Sequence, residues 1–417
     1  MRKIVKLIAI VSPLLFIGCG DSLSKPTVEA VNGGELFVNF PASSIKKSLI
    51  EQGVIDENRT VYGYKAYKIP YTTRDESGTE VKVSGLFVIP TGLPDIVTTR
   101  LGLSMVSDDH VTIFANADAP SVIADVTGAP NGSSVILTSL GGFATLQPDY
   151  IGFGDSKEHY HPFVLKDSLA NATVDFIKQV KIFSKENNIT LNNQLFLTGY
   201  SEGGYASMAT LKKIEEEQIS DLTVAMTAPM AGPYALKIMI DTAFSQPKLI
   251  VPSFIANIGY AYAKANNQEL NSTINEPYAS SLETLFNGGL RSLEIDSKLT
   301  TDTTGEKGLL TQSFVTDYFS NENNWFKVSL LKNTLYNWTP TTPVRLVHCE
   351  GDDIIPYAIS QLTEGTMKKL GATNVALVPV EKALGRQDKV GHVACGSLAY
   401  SVTTTMFAQV RKQTIGY

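Results

Sequence analysis

Residues 36–90 show the two-residue alternation of apolar and polar side chains that is typical of half-buried β-strands. The alternation is clearest in residues 61–71 and 81–89, and the Asp-Glu-Ser-Gly segment at 75–78 between them is typical of a turn. This part of the chain therefore predicts an antiparallel entry into a sheet.

After residue 90, short apolar runs alternate with longer stretches of helical periodicity. This alternation indicates an α/β fold, in which a mainly parallel sheet is flanked by helices. The clearest predicted helices are residues 168–184 and 205–217. The predicted strands are residues 101–106, 143–147, 195–198, 223–227, 344–348 and 375–380.

Residues 233–340 interrupt this alternation, because they contain helix-like pieces such as 252–265 and 282–290 but no convincing core strand. Long insertions are tolerated in surface loops, and function often collects there. We interpret the segment as a cap above the edge of the sheet. A surface segment with no role in binding is the alternative.

The first 18 residues have the composition of an export signal, with three basic residues before an apolar stretch at 7–17. That stretch is too short to span a bilayer comfortably. The Phe-Ile-Gly-Cys segment that ends at Cys19 resembles a bacterial lipoprotein cleavage box. Cys19 is therefore the predicted site of lipidation, and residues 19–35 are the predicted tether. A plain secretory signal with an incidental cysteine is the alternative.

The chain has 417 residues and a formal net charge of −6 at pH 7. Removal of residues 1–18 makes the charge more negative, because this leader contains basic but no acidic side chains. A nucleic-acid partner would require a basic face, so the composition argues against one.

The pentapeptide Gly-Tyr-Ser-Glu-Gly at 199–203 lies between the predicted strand 195–198 and the predicted helix 205–217. A G-x-S-x-G motif at a sharp strand-to-helix turn lifts its serine above the sheet edge as a nucleophile. Glycines flank the serine because the turn leaves no room for side chains there. Ser201 is therefore the predicted nucleophile.

A serine hydroxyl needs a base that is itself held by a third group. Among the five histidines, His392 follows the last predicted strand, near the C-terminus, where this arrangement requires its base. Asp352 and Asp353 both follow the predicted strand 344–348, and either can supply the carboxylate. The order along the chain is then Ser, Asp, His.

The other histidines fit structural roles better than metal binding. His348 lies inside a predicted strand, where we expect it to be buried and hydrogen-bonded. His159 and His161 lack the carboxylate spacing of a zinc site, and we expect them to pack a loop or to rim the pocket. The sequence therefore predicts no metal site.

Acyl transfer also requires N–H donors that face the oxyanion of the tetrahedral intermediate. The backbone N–H of Glu202, directly after the nucleophile, is the first predicted donor. Its side chain is expected to point away, towards solvent or a hydrogen bond at the pocket rim. The second donor is expected in residues 107–112, after the third strand.

These motifs together resemble the secreted lipases of bacteria and fungi, a group within the α/β-hydrolases. The resemblance covers roughly residues 67–392. It is carried by GYSEGGYA at 199–206, PDYIGFGDS at 148–156, HPF at 161–163, DDIIPY at 352–357, DAPS at 118–121 and NWTPTTPV at 337–344. It implies ester hydrolysis on an α/β-hydrolase core with a mainly parallel eight-stranded sheet, at residues 36–232 and 341–417, and a helical cap at 233–340 inserted after strand 6.

The resemblance also assigns roles to residues. It places the nucleophile on Ser201, the acid on Asp352 and the base on His392. It places the second oxyanion donor on the backbone of His110, although Val111 stands where such lipases often have glycine. A β-branched residue disfavours the positive φ that glycine would allow, so this loop is expected to differ in shape.

Cys349 and Cys395 each lie three residues from one of the proposed catalytic residues. An envelope compartment would permit a disulfide between them. A disulfide and two buried free thiols both remain open at this point.

The sequence as a whole predicts a lipid-anchored ester hydrolase of the cell envelope, which forms an acyl-enzyme with small-molecule or lipid esters and needs no cofactor. Its contact with a membrane is expected only through the N-terminal lipid. A peptidase or a carbohydrate-ester deacylase on the same scaffold is the alternative within enzymes. An inactive, hydrolase-like binding lipoprotein is the alternative from another class.

Overall fold

The computed structural model describes residues 28–127 and 132–417. The signal predicted at 1–18 and the lipidation predicted at Cys19 lie outside the described residues. In the described ranges, no helix is both long enough and apolar enough to cross a membrane.

One large sheet forms the centre of the fold. Its strands are β1 (Glu29–Val31), β2 (Gly34–Phe40), β3 (Gly63–Arg74), β4 (Glu80–Thr91), β5 (Leu103–Asp109), β6 (Ala144–Pro148), β7 (Leu191–Tyr200), β8 (Val224–Met230), β9 (Val344–His348) and β10 (Val375–Pro379). Their order in the sheet is β1-β2-β3-β4-β6-β5-β7-β8-β9-β10. The pairs from β1 to β6 are antiparallel, and the pairs from β6 to β10 are parallel.

The sheet has ten strands, so the prediction of eight was wrong in number. The two additional strands, β1 and β2, extend the antiparallel edge, where Leu36 lies opposite Tyr67. The strand β2 is held there because Phe37 and Val38 are buried in a small apolar cluster. Since β1 lies inside the predicted tether, the last part of residues 19–35 belongs to the sheet.

Helices cover both faces of the sheet and fill its connections. The α-helices are α1 (Ala42–Glu51), α2 (Pro120–Thr127), α3 (Gly132–Ser134), α4 (Lys166–Glu186), α5 (Glu202–Glu216), α6 (Leu236–Phe244), α7 (Pro252–Ala265), α8 (Tyr278–Leu285), α9 (Ser292–Asp296), α10 (Gln312–Ser320), α11 (Trp325–Lys332), α12 (Tyr357–Lys369), α13 (Val380–Ala383) and α14 (His392–Thr414). Short π-helical turns lie at Val97–Leu101 and Val135–Leu140, and short 3₁₀ turns lie at Asn116–Asp118, Gly154–Ser156 and Leu270–Ser272.

The central strand β7 is buried on both faces. Leu195 and Leu197 belong to the large apolar core that α4 and α5 cover. Phe196 points to the opposite face, where its ring centre lies 4.6 Å from that of Phe407 on α14. A strand covered on both sides is apolar throughout rather than alternating, which is the pattern that predicted it.

The segment between β8 and β9 contains the six helices α6 to α11. Throughout this described segment, the β-pairing consists of two isolated bridges, Lys248 with Asp302 and Ile274 with Leu310. The helix predicted at 252–265 coincides with α7, whereas the helix predicted at 282–290 ends at Leu285.

Candidate active site

Ser201 lies on the sharp turn between β7 and α5. Its backbone has φ 59° and ψ −116°, a conformation that L-residues rarely adopt. A side chain at Gly199 or Gly203 would place its Cβ 2.4 Å or 1.9 Å from the carbonyl oxygen of Asp109. The two glycines of the motif are therefore required by the close approach of β5. The turn is also held from the other side, because the backbone N–H of Ser201 donates to the Met230 carbonyl on β8 at 2.9 Å.

The structure brings the three predicted triad residues together. The hydroxyl of Ser201 lies 3.0 Å from Nε2 of His392. Nδ1 of His392 lies 2.6 Å from Oδ2 of Asp352. With the ring hydrogen on Nδ1, His392 donates to the carboxylate and accepts the serine hydroxyl through Nε2, which is the geometry needed to remove its proton.

Both carboxylate oxygens of Asp352 accept two hydrogen bonds each. Its Oδ1 accepts the backbone N–H groups of Ile354 and Ile355 at 3.0 and 2.8 Å. Its Oδ2 accepts from His392 and also from Nε2 of His348 at 3.1 Å. Burial opposes the charged form, but the hydrogen bonds from His348 and His392 bring the pKa of Asp352 well below its ordinary value.

The neighbouring Asp353 has a different function. Its Oδ1 accepts the backbone N–H of His392 at 2.8 Å, at the first turn of α14. A carboxylate at this position caps the helix that carries the imidazole. The residues alone left open which of the two aspartates contacts the imidazole of His392, and in the structure it is Asp352.

The side chain of Glu202 does not point to solvent, and of the two predicted alternatives the structure shows a hydrogen bond beside the pocket. The side chain is buried, and its Oε1 lies 2.7 Å from Nε2 of His161. Nδ1 of His161 lies 2.9 Å from the carbonyl of Ile151, which accepts its hydrogen. The sequence predicted that His161 packs a loop or lies at the pocket rim. It did not predict the contact with Glu202, because no spacing rule connects two residues that are 41 positions apart.

The loop after β5 passes along the first turn of α5. The carbonyl of His110 would lie 2.8 Å from a Cβ at position 203. The His110 ring is buried against Tyr150 and its Nδ1 lies 2.7 Å from the Val111 carbonyl. Burial lowers the pKa of His110, which favours the neutral ring.

A cavity of about 210 Å³ opens beside the serine. Ser201, Glu202 and Thr112 lie at one part of its wall, and the remaining wall is largely apolar. The apolar wall comes mainly from the segment between β8 and β9 and from the loop after β9, and includes Leu236, Ile240, Leu249, Ile255, Ile258, Ile354, Ile355 and Ile359. The inserted segment thus forms part of the space that a substrate would enter.

Cys349 and Cys395 form a disulfide in the structure, with Cα atoms 6.0 Å apart. Both residues are buried. The bond joins the loop that carries Asp352 to the helix that begins at His392. In the described ranges, no group of His, Cys, Asp and Glu side chains is arranged to hold a metal ion.

Several solved structures share the architecture of this fold. A protein from Legionella pneumophila superposes with a TM-score of 0.79 at 22% identity, over 93% of this chain and 99% of its own. The rice cell wall degrading esterase LipA from Xanthomonas oryzae gives 0.75 at 22% identity, over 94% and 98%. Lipase A from Candida antarctica gives 0.57 at 15% identity, over 89% and 78%.

The sequence comparison identifies the family. The model of the secretory lipase family matches residues 132–384, which is more than half of the chain. The chain therefore belongs to the secretory lipase family and is a carboxylic ester hydrolase. No curated protein matches it in sequence.

Proposed function

We propose that this enzyme hydrolyses esters of apolar acyl groups through an acyl-enzyme on Ser201, with His392 as the base and Asp352 as the acid of a catalytic triad. The observation that carries the proposal is the continuous set of contacts from Ser201 Oγ to His392 Nε2, at 3.0 Å, and from His392 Nδ1 to Asp352 Oδ2, at 2.6 Å.

The reaction has two halves. Ser201 Oγ attacks the ester carbonyl while its proton passes to His392 Nε2, and His392 then gives that proton to the departing alcohol. A water molecule next attacks the acyl-enzyme and loses its proton to His392. The tetrahedral intermediate formed by this attack then collapses and releases the carboxylic acid. The proton held by His392 returns to the oxygen of Ser201.

Two backbone N–H groups are proposed to hold the oxyanion. Glu202 is the first residue of α5, and the first N–H groups of a helix have no acceptor within the helix. The second is proposed at His110, whose loop runs along the same turn. A donor of this kind contributes about 3 kcal/mol to lowering the barrier.

The apolar cavity supports an aliphatic acyl group as the part of the substrate that is buried. A dry apolar cavity of roughly 150 Å³ holds a six-carbon ring, so a cavity of about 210 Å³ corresponds to about eight carbons. We therefore propose medium-chain acyl esters as the preferred class, with the segment at 233–340 as the cap that shapes the acyl site.

A fluorophosphonate probe and an ester assay test the triad. The native chain from residue 19 onward should be labelled and should hydrolyse an octanoyl ester, whereas Ser201→Ala should do neither. Ser207→Ala is the matched control, because this buried serine lies on the same helix and its hydroxyl donates to the Gly204 carbonyl. A labelled Ser201→Ala variant would refute the assignment of the nucleophile, and an unlabelled native protein would favour the inactive binding lipoprotein.

The same scaffold could serve a peptidase or a carbohydrate-ester deacylase. A panel of acyl esters of rising chain length, acetylated sugars and aminoacyl arylamides separates these activities. Faster turnover of the arylamides or of the acetylated sugars would overturn the proposed substrate class.

Membership of a secretory family supports export, and we further propose that the enzyme is anchored in the cell envelope through a lipid on Cys19. The expected result is that the native protein sediments with membranes, whereas Cys19→Ser is released as soluble protein. Equal distribution of the two proteins would exclude the anchor.

A further inference from the structure

We infer that His348 is a positioning residue of the catalytic triad, a second histidine on the carboxylate of Asp352 that sets the pH range in which His392 acts as a base. The inference rests on the proposed Ser201–Asp352–His392 mechanism and concerns a group that does not contact the reacting atoms. Sequence patterns place His348 in a strand, and only the structure shows which group it contacts.

The hydrogen positions on His348 follow from its neighbours. Nε2 lies 3.1 Å from Asp352 Oδ2 and 3.0 Å from the carbonyl oxygen of Ile355. Both are acceptors, so Nε2 carries a hydrogen. Nδ1 lies 2.8 Å from the hydroxyl of Ser360 on α12, which can donate to it. One neutral tautomer therefore satisfies every contact of this fully buried ring.

His348 and His392 share one oxygen atom. Both rings donate to Oδ2 of Asp352, at 3.1 and 2.6 Å. The first bond draws negative charge away from the second, so the carboxylate stabilises the protonated form of His392 less than it would with His392 alone. The same bond also restricts rotation of the carboxyl group and keeps Oδ2 directed at His392.

Tyr357 on α12 packs its ring against His348, with the ring centres 5.6 Å apart. The charged and hydrogen-bonding groups around His348 and His392 are engaged elsewhere. The Tyr200 hydroxyl donates to the His392 carbonyl, and Asp353 accepts the His392 backbone N–H. Glu381 on α13 accepts the backbone N–H groups of Glu350 and Val390, and the exposed Lys389 pairs with Glu350. Within the described part of the chain, His348 and His392 are thus the two side chains that donate to the Asp352 carboxylate.

His348 is also separate from the substrate cavity. The loop after β9 contributes Ile354 and Ile355 to the cavity wall, and His348 is not among the described residues that line it. A change at position 348 should therefore alter the chemical step and its pH dependence while leaving KM close to native.

The test compares His348→Phe, which keeps a planar ring but has no donor, with His348→Gln, whose amide can donate from nearly the same position. His348→Phe should lower kcat by roughly tenfold, the loss expected for one hydrogen bond to a charged group. Its acid limb of kcat/KM should move to higher pH by about half a unit, because the relieved carboxylate holds the protonated imidazole more strongly. His348→Gln should restore most of both properties.

His159→Gln is the control for loss of a histidine, since His159 is exposed and should leave the profile native. If His348→Phe fails to fold, His348→Asn replaces it, because the shorter amide does not reach the carboxylate. An unchanged acid limb in the variant without the donor, or a His348→Gln profile as shifted as that of His348→Phe, would overturn the inference. Fluorophosphonate labelling of native Ser201 reports separately on the triad, so failure of the proposed mechanism would be distinguished from failure of this inference.

Discussion

Glu202 and His161 form a buried pair directly beside Ser201, the proposed nucleophile, with Oε1 of the carboxyl 2.7 Å from Nε2 of the imidazole. Because Nδ1 of His161 donates to the Ile151 carbonyl, a single hydrogen lies between Nε2 and Oε1. The pair is therefore neutral overall, whichever atom holds that hydrogen. In the proposed mechanism, an unpaired carboxylate at this position would repel the negative charge that develops on the oxyanion.

This relationship predicts an asymmetry between variants of the two residues. His161→Ala leaves a buried carboxylate alone and should destabilise the protein by about 3 kcal/mol or more, with a loss of kcat. Glu202→Gln should stay close to native, because its amide can donate to Nε2 of a neutral His161. Thermal unfolding and kcat measure both effects. The double variant His161→Ala, Glu202→Gln should recover part of the stability that His161→Ala loses. A native melting temperature for His161→Ala would contradict the argument.

The cavity predicts an optimum in acyl chain length. Initial rates on p-nitrophenyl esters should rise to about eight carbons and then fall. Ala243→Leu adds bulk to the cavity wall and should move the optimum towards shorter chains. Ala265→Leu is the control, since Ala265 ends α7 and is not among the described residues that line the cavity. Equal shifts in both variants would exclude a selective effect of the wall.

The disulfide predicts a measurable stabilisation. It closes a loop with a sequence separation of 46 residues, and chain-entropy arithmetic gives about 4 kcal/mol for a loop of this length. The double variant Cys349→Ala, Cys395→Ala should lower the free energy of unfolding by that amount in urea titrations. Cys19→Ala removes the third cysteine and should leave it unchanged. Equal stabilities of the native and double-variant proteins would show that the bond does not stabilise the fold.

The carboxylate of Asp352 predicts a pH-dependent stability difference between native protein and Asp352→Asn. Its pKa is lowered in the folded protein, so its contribution is present above the unfolded pKa near 4 and is lost as the pH falls further. At pH 7 the native protein should be more stable by about 2 kcal/mol, and the gap should narrow below about pH 4.

The relevant quantity in this experiment is the difference in free energy of unfolding between the native protein and Asp352→Asn. Burial raises the pKa of Asp108 to about 6, so this residue contributes to the stability of the native protein in the opposite direction. Urea unfolding of both proteins at several pH values isolates the part due to Asp352. A gap that stays constant down to pH 2 would be inconsistent with a charged, hydrogen-bonded Asp352.

Local patterns were sufficient for most elements of the fold. The segment at 344–348 predicted β9 with its observed bounds, because Val344, Leu346 and Val347 give it a buried, strand-forming character despite Arg345 and His348. The edge strand β1 was missed, because it is short and lacks a buried face of its own. The strand β2 begins just before the β-like stretch predicted at 36–90, but it was not recognised as a separate strand. The pairing of β2 with β3 depends on contacts with a strand that lies farther along the chain.

The sequence by itself determined the α/β class and the strand-to-helix turn at Ser201, because each depends on residues that are neighbours along the chain. It also determined the order of the candidate triad, because each member was recognised from the local motif or strand end that carries it. Only the tertiary structure decided that Glu202 is buried against His161, that His348 shares the carboxylate of Asp352, and how large the cavity is. Those properties depend on distances between segments that are remote in sequence, and these distances are set by the packing of the whole sheet and its helices.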